Sequence, residues 1–279
     1  MRTPHRGSRR VVSTVLVASG AIIALIVAGS GSTSSARSLT ASVSAPTGAA
    51  ESHKGSCPSA SKLAPIHGKY SPTIKPSNFV SKINNRYWPL KPGTTYHYKG
   101  VRGKTRQTDN ETVTGKTKRI LGVKSRVVRD TVSQHGMPIE RTFDYYAQDK
   151  CDNVWYMGEL SLEKNNAGHW VKASDSWLAG VNGGKPGIIV PGHPTPGESY
   201  RQEYYPPGKA LDEATVLSLH GSVTVPYQGK HTGLLVTKER SPLEPQTERK
   251  YYQPGLGEVK EKVVKGHHEV FRLVNVTHA

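Results

Sequence analysis

From residue 90 onward the chain alternates apolar and polar positions with a period of two. Leu217, Leu219, Val223 and Val225 fall on one face of a run, and Ser218, His220, Ser222 and Thr224 on the other. Gly221 occupies the apolar register between them, where a strand can bend. Tyr96 and Tyr98 alternate with His97 and Lys99, while Val154, Tyr156 and Leu160 alternate with Trp155, Met157 and Glu159. The run from Val270 to Val276 is apolar on both faces, as a central strand is. Turn signals recur at short intervals, including Lys91-Pro92-Gly93, Asp152-Asn153, Pro206-Pro207-Gly208 and Pro254-Gly255. No window has the spacing of an amphipathic helix. The pattern predicts an all-β protein, an antiparallel meander of roughly ten strands curled into a half-barrel, barrel or sandwich.

One segment is used twice. Residues 138–160 and 248–259 each carry a tyrosine doublet (Tyr145-Tyr146 and Tyr251-Tyr252), then a polar or glycine-rich turn, then a strand-like run. Each is preceded by a glycine and an apolar strand. The spacing predicts one meander unit built twice and packed on itself, over about 91–160 and 198–279. Between them, 168–197 is dense in glycine and proline but carries Trp170 and Trp177. That composition predicts a long irregular loop, serving either as a lid over the sheet or as a plug for the core.

The N-terminus changes the picture of where the chain works. Arg2, Arg6, Arg9 and Arg10 precede an uncharged apolar run, and small residues follow through Ala36. Residues 1–36 therefore read as an export signal, with a partial twin-arginine pattern at Arg9-Arg10; an uncleaved anchor is the alternative, because the run approaches the roughly 20 residues that span a bilayer. Residues 37–85, rich in Ser, Ala, Pro, Gly and Thr, read as a disordered linker, leaving 86–279 as the folded domain. Cys57 and Cys151 allow one disulfide in an exported chain, tying the linker to the body.

Charge adds a class of partner. Lys and Arg number 38 against 21 acidic residues, a formal net charge of +17, and the bases are densest between Lys91 and Arg129. Such a field draws anionic wall polymers, acidic polysaccharides or anionic head groups, or it simply keeps a secreted protein soluble. No nucleic-acid-binding motif accompanies it.

Candidate chemistry concentrates in the first repeat. Asp144, Tyr146 and Gln148 share one strand face, and Trp155, Met157 and Glu159 share another. If the two strands pair, Asp144 and Glu159 are a carboxylate pair of the kind that hydrolyses glycosidic bonds from about 5–10 Å apart. Against this, Asp149, Asp152 and Asn153 have the residue types of a plain turn, although Asp149 and Asp152 are also candidate oxygen ligands for calcium. His267 and His268 point to opposite faces of any strand they occupy and cannot share a zinc ion. No nucleophile elbow, phosphate loop, dinucleotide fingerprint or His-Glu-x-x-His is present. Thirteen tyrosines against three phenylalanines favour rings with a polar tip, suited to sugars, amphiphiles and wet interfaces.

Asp144-Tyr145-Tyr146-Ala147-Gln148-Asp149, Asn153-Val154-Trp155-Tyr156-Met157-Gly158-Glu159 and Lys250-Tyr251-Tyr252-Gln253-Pro254-Gly255 together resemble an uncharacterised family of exported bacterial β-rich proteins. The resemblance covers 87–279. It departs at Asp152 and Tyr145, where family members usually have Gly and Trp. It implies export and a β-rich fold and transfers no mechanism.

These features predict a secreted, non-enzymatic protein that binds an amphiphilic or polymeric, anionic envelope ligand. The predicted contacts are Tyr146, Gln148, Trp155, Trp170, Trp177, Tyr204 and Tyr252. The alternatives are an extracellular polysaccharide hydrolase using Asp144 and Glu159, and a cell-wall interaction module. No cofactor, no specific nucleic acid and no membrane span after signal cleavage are expected.

Overall fold

The structure, a computed structural model, describes residues 57–208, 210–243 and 245–279. The predicted signal and residues 37–56 of the predicted linker lie outside the described residues. After a short helix α1 (Ala60–Leu63) and strand β1 (Phe79–Val80) comes a meander of long strands: β2 (Thr94–Arg102), β3 (Thr105–Ile120), β4 (Val123–Gln134), β5 (Met137–Asp149) and β6 (Val154–Lys164). Short strands β7 (Trp170–Lys172), β8 (Trp177–Leu178), β9 (Lys185–Val190), β10 (Ser199–Arg201) and β11 (Glu203–Tyr204) follow. A second meander completes the chain: β12 (Glu213–Val225), β13 (Gly229–Arg240), β14 (Thr247–Gln253), β15 (Gly257–Lys265) and β16 (Glu269–His278).

The strands pair in the order β10-β12-β13-β14-β15-β16-β2-β3-β4-β5-β6-β9-β11. All of these pairings are antiparallel, as local hairpins require. Tight turns at Leu121-Gly122 and His135-Gly136 hold both residues at positive φ, the twist-matched geometry of a two-residue hairpin loop. The two ends of the path are consecutive in the chain, with only Gln202 between β10 and β11. The sheet is therefore a nearly closed, barrel-like structure. Register shifts on both sides of Gly221 bend β12, and a Cβ there would lie 2.3 Å from Cγ2 of Val236.

The pairing of β16 with β2 joins the two meanders, β12 to β16 and β2 to β6. The tyrosine doublets fall on β5 and β14. A register shift in the pairing of each of these strands with the next marks a bulge beside each doublet. Asp144 and Lys250 each stand just before the doublet of their strand.

Two expectations need correction. Residues 57–85 are packed against the barrel rather than strung out as a linker. Ser59 caps α1 by accepting from Lys62 N, and the backbone N–H and hydroxyl of Ser61 donate to Glu198. The Arg201 guanidinium donates to the carbonyls of Pro65 and Ile66, Phe79 packs edge-on to Trp155, and β1 pairs with β5. Cys57 and Cys151 form a disulfide, with 5.6 Å between their Cα atoms. The segment shows no periodic apolar face because its buried apolar residues, Ala60, Ala64, Tyr70 and Ile83, are scattered along it and interleaved with polar contacts to the body. The second correction concerns 168–197: β7, β8 and β9 each pair with β6, so much of the predicted irregular loop is an added sheet edge.

Candidate functional site

The barrel interior is not filled with aliphatic side chains. Two adjoining cavities of about 180 Å³ each occupy it, sharing a waist of Trp88, Asp130, Glu140, Asp144, Tyr146 and Lys250. Glu140, Thr142, Asp144 and Tyr146 reach it because they alternate along β5 and face inward together. Glu159, Glu203, Asp212, Glu239 and Glu248 line the first lobe, which opens beside the β13–β14 connection at the exposed Arg240. Asp109, Glu111, Glu258, Glu261 and Glu269 line the second. Thirteen of the chain's 21 acidic residues surround this chamber, against three cations: Arg102, Arg240 and Lys250. The protein's excess of bases lies outside.

Rings form the waist. Tyr146 stacks on Tyr156 at 5.0 Å, and Trp88 packs between Tyr146 at 5.1 Å and Tyr252 at 6.0 Å, so the two doublets meet on one indole. The Tyr156 hydroxyl lies 2.6 Å from Oδ1 of Asp144 and 3.1 Å from Oε2 of Glu159. With one proton it donates to only one of them at a time. Lys250 Nζ stands 3.3 Å from Glu261, 3.5 Å from Glu239 and 4.0 Å from Glu258. Arg102 is engaged by Glu269 through two hydrogen bonds of 2.8 and 2.9 Å. Glu140 accepts from Thr142 on one oxygen, and its other oxygen, Oε2, is buried without a hydrogen-bond partner.

Crowding acids out of water pushes their protons on. Burial, with Asp130 and Asp144 adding repulsion against the pull of Lys250, raises Glu111 to about 8; burial with Asp130 and Asp175 raises Glu140 to about 8 against the pull of Arg102. Burial brings Asp144 and Asp109 to about 7, and Glu248 to about 8 with help from Glu261. Glu159 and Asp212 are driven well above the carboxylate range, burial first and neighbouring acids second, and burial drives Glu258 up against the pull of Lys250. Asp130 is driven up likewise, burial first and the repulsion of neighbouring Asp109 second. Burial pulls Lys250 down, yet Glu239, Glu261 and Glu258 hold it well above the usual lysine value. Replacing it with methionine (Lys250→Met) should destabilise the fold by about 3 kcal/mol at pH 8, because it strips three buried acids of their counter-ion. The loss should shrink at pH 5, where Glu258, driven well above the carboxylate range by burial, carries a proton and needs no counter-ion. Urea unfolding at the two pH values checks this, and equal stability of wild type and variant at pH 8 would refute it.

The structure brings few of the predicted contacts together. Tyr146 lines the chamber, as do Asp144 and Glu159, which are cross-strand partners. Tyr252 sits behind the wall, its hydroxyl donating to Glu239 at 3.1 Å. Trp177 is likewise outside it, donating from Nε1 to Glu203 and meeting Tyr156 edge-on. Gln148 is consumed in structure: its carbonyl accepts from the backbone of Asn84 and Asn85, and its amide donates to Asn84 and Asp152. Trp155 faces the other side of β6 and donates to Asp149. Trp170 lies on the outer surface beneath Arg141 and Lys164, and Tyr204 packs with Tyr70, Lys185 and Arg201. Asp149 accepts four hydrogen bonds, from Cys151 N, Asn153 N, Asn153 Nδ2 and Trp155 Nε1, leaving little for calcium. Among the described residues no three His, Cys, Asp or Glu converge as metal ligands.

Sequence reasoning missed Glu140, Asp130, Asp109, Glu111, Glu261 and Lys250. The signal was present on β5: extending the face of Asp144 and Tyr146 two steps back gives Thr142 and Glu140.

No family profile and no curated protein matches the chain. Among solved structures it is similar to a candidate exported protein of YmcC-like fold from Bacteroides fragilis, at 11% identity and a TM-score of 0.38, over 69% of this chain and 99% of that one. It is also similar to a candidate lipoprotein from Parabacteroides distasonis, at 10% identity and a TM-score of 0.34, with the same coverage. Likenesses this distant transfer nothing to this chain. Among the described residues no helix is long and apolar enough to cross a membrane.

Proposed function

We propose that this is an exported protein that works by binding, taking a small ligand or the end of a larger one into the chamber of its barrel. The observation that carries this reading is the chamber itself: small barrels fill their interiors with side chains, and this one keeps lined, polar space there. The signal-like N-terminus and the disulfide support export. An anionic envelope ligand does not suit the acidic interior. Its place is the outer face, where Lys260, Arg272 and Lys99 are successive cross-strand neighbours on β15, β16 and β2. Like charges directly opposite one another repel, and an anionic polymer laid across them relieves that repulsion.

Hydrolysis is the second reading, favoured by the convergence of Asp144 and Glu159 on the Tyr156 hydroxyl. A glycosidase needs one protonated and one ionised carboxyl, whereas burial pushes both of these toward the protonated form. Native mass spectrometry of protein recovered from its own host's medium tests the binding reading. A discrete bound mass is expected. Protein found only in the cytosol and without adduct, or turnover of a polysaccharide abolished by Asp144→Asn, would overturn it.

A further inference from the structure

Resting on the binding reading, we propose that the chamber's ligand is a linear organic amine carrying ammonium groups near both ends, of the di- or oligo-amine class. The chamber has two acidic lobes whose shared lining carries the rings of Trp88 and Tyr146. A flexible alkyl chain with a charge at each end matches that shape: ammonium groups meet carboxylates in the lobes, and methylenes lie against the rings, whose faces also attract cations.

Three observations favour ammonium over other cations. Lys250 is itself an alkylammonium held by three carboxylates of this wall, at 3.3, 3.5 and 4.0 Å, and shows what the lining accepts. The acids are spread along the walls and among the described residues never converge in the threes that grip a metal ion, so they suit charge distributed along a chain. Finally, Glu140 is only 4% exposed, lines both lobes, and presents Oε2 with no hydrogen-bond partner. A buried carboxyl oxygen left unpaired is costly, and an ammonium donor at the waist would satisfy it. The charged groups acting on Glu140 are Arg102, Asp130 and Asp175, with Thr142 bonded to its other oxygen. Arg102 is already engaged by Glu269.

Because burial keeps protons on Glu111, Glu140 and Glu248 when the chamber is empty, an ammonium group entering beside them displaces protons to the buffer. That signature separates the chamber from any surface site. The test is calorimetric titration of the full chain with spermidine at pH 7, in two buffers of different ionisation enthalpy, with 1,8-octanediol as the uncharged control. We expect saturable one-to-one binding of spermidine, release of at least one proton per ligand, no binding of the diol, and at least a tenfold loss of affinity in Glu140→Gln. That variant is isosteric; should it misfold, the proton release measured on the wild type decides alone. Absence of saturable spermidine binding, binding without proton release, or equal affinity in a folded Glu140→Gln would overturn the proposal. If a host-derived molecule without amines occupies the chamber and spermidine does not displace it, the amine assignment fails while the binding reading stands. If the chamber binds neither, both fail.

Discussion

Raising the pH from 5.5 to 8.5 should lower the melting temperature by about ten degrees, the reverse of the usual behaviour of a protein rich in paired carboxylates. In the unfolded chain an Asp or Glu loses its proton near pH 4. In the barrel Asp109 and Asp144 lose theirs only near 7, and Glu111, Glu140 and Glu248 near 8. Between these limits the folded state binds more protons than the unfolded state, so stability falls as pH rises. It is fully present below about pH 4 and lost as pH passes 7 to 8. Each proton retained costs about 1.4 kcal/mol per pH unit as the solution turns alkaline. One net proton over three units is therefore worth about 4 kcal/mol, and about 2–4 °C accompanies each kcal/mol in a domain of this size. Differential scanning calorimetry across that range decides it. A melting temperature that is flat or rises toward pH 8.5 would show the chamber acids to be ordinary ionised carboxylates.

Losing the disulfide should be nearly as severe. Cys57 and Cys151 are 94 residues apart, and closing a loop of that length restrains the unfolded chain by about 4–5 kcal/mol in the loop-entropy account. Cys57→Ala/Cys151→Ala should melt about ten degrees lower. The first protection lost to hydrogen exchange should be in α1 and β1, which depend on that tie together with a few polar contacts. The Cys151 end is the firm one. Asp149 accepts from the backbone N–H of both Cys151 and Asn153 at 2.9 Å, and Gly192 approaches so closely that a Cβ would lie 2.0 Å from the Cys151 carbonyl oxygen. Matching melting curves for wild type and double variant would mean that residues 57–85 stay docked without the bridge.

The architecture was legible wherever one strand face was plainly apolar. Alternation from Leu217 to Val225 and the bend at Gly221 announce an antiparallel meander, although Leu217 itself turns outward where the register of β12 shifts, and the run at 270–276 falls on β16, in the middle of the strand order. The chamber was harder to see because the customary assumption, polar outward and apolar inward, is inverted in part of this barrel. On β3, Gln107, Asp109 and Glu111 share one face in the midst of polar neighbours, so the run shows no contrast from which a burial direction could be read. Trp155 and Gln148 looked like ligand contacts because aromatic and amide groups bind ligands well. Here the same groups satisfy Asp149 and the backbone at 84–85, a use that depends on a segment distant in sequence. The packed N-terminal stretch was hidden for a related reason, since the contacts that dock it on the body, to Glu198, Gln148 and Arg201, reach more than sixty residues along the chain.

The opposite signs of Asp144 and Lys250 bear on what the interior can hold. Lys250 offsets part of the charge that Asp144 and the neighbouring acids would otherwise bring together. An acid in its place would leave Glu239, Glu258 and Glu261 facing the same space with no cation between them, so this one ammonium is a condition of keeping so acidic an enclosure inside the barrel.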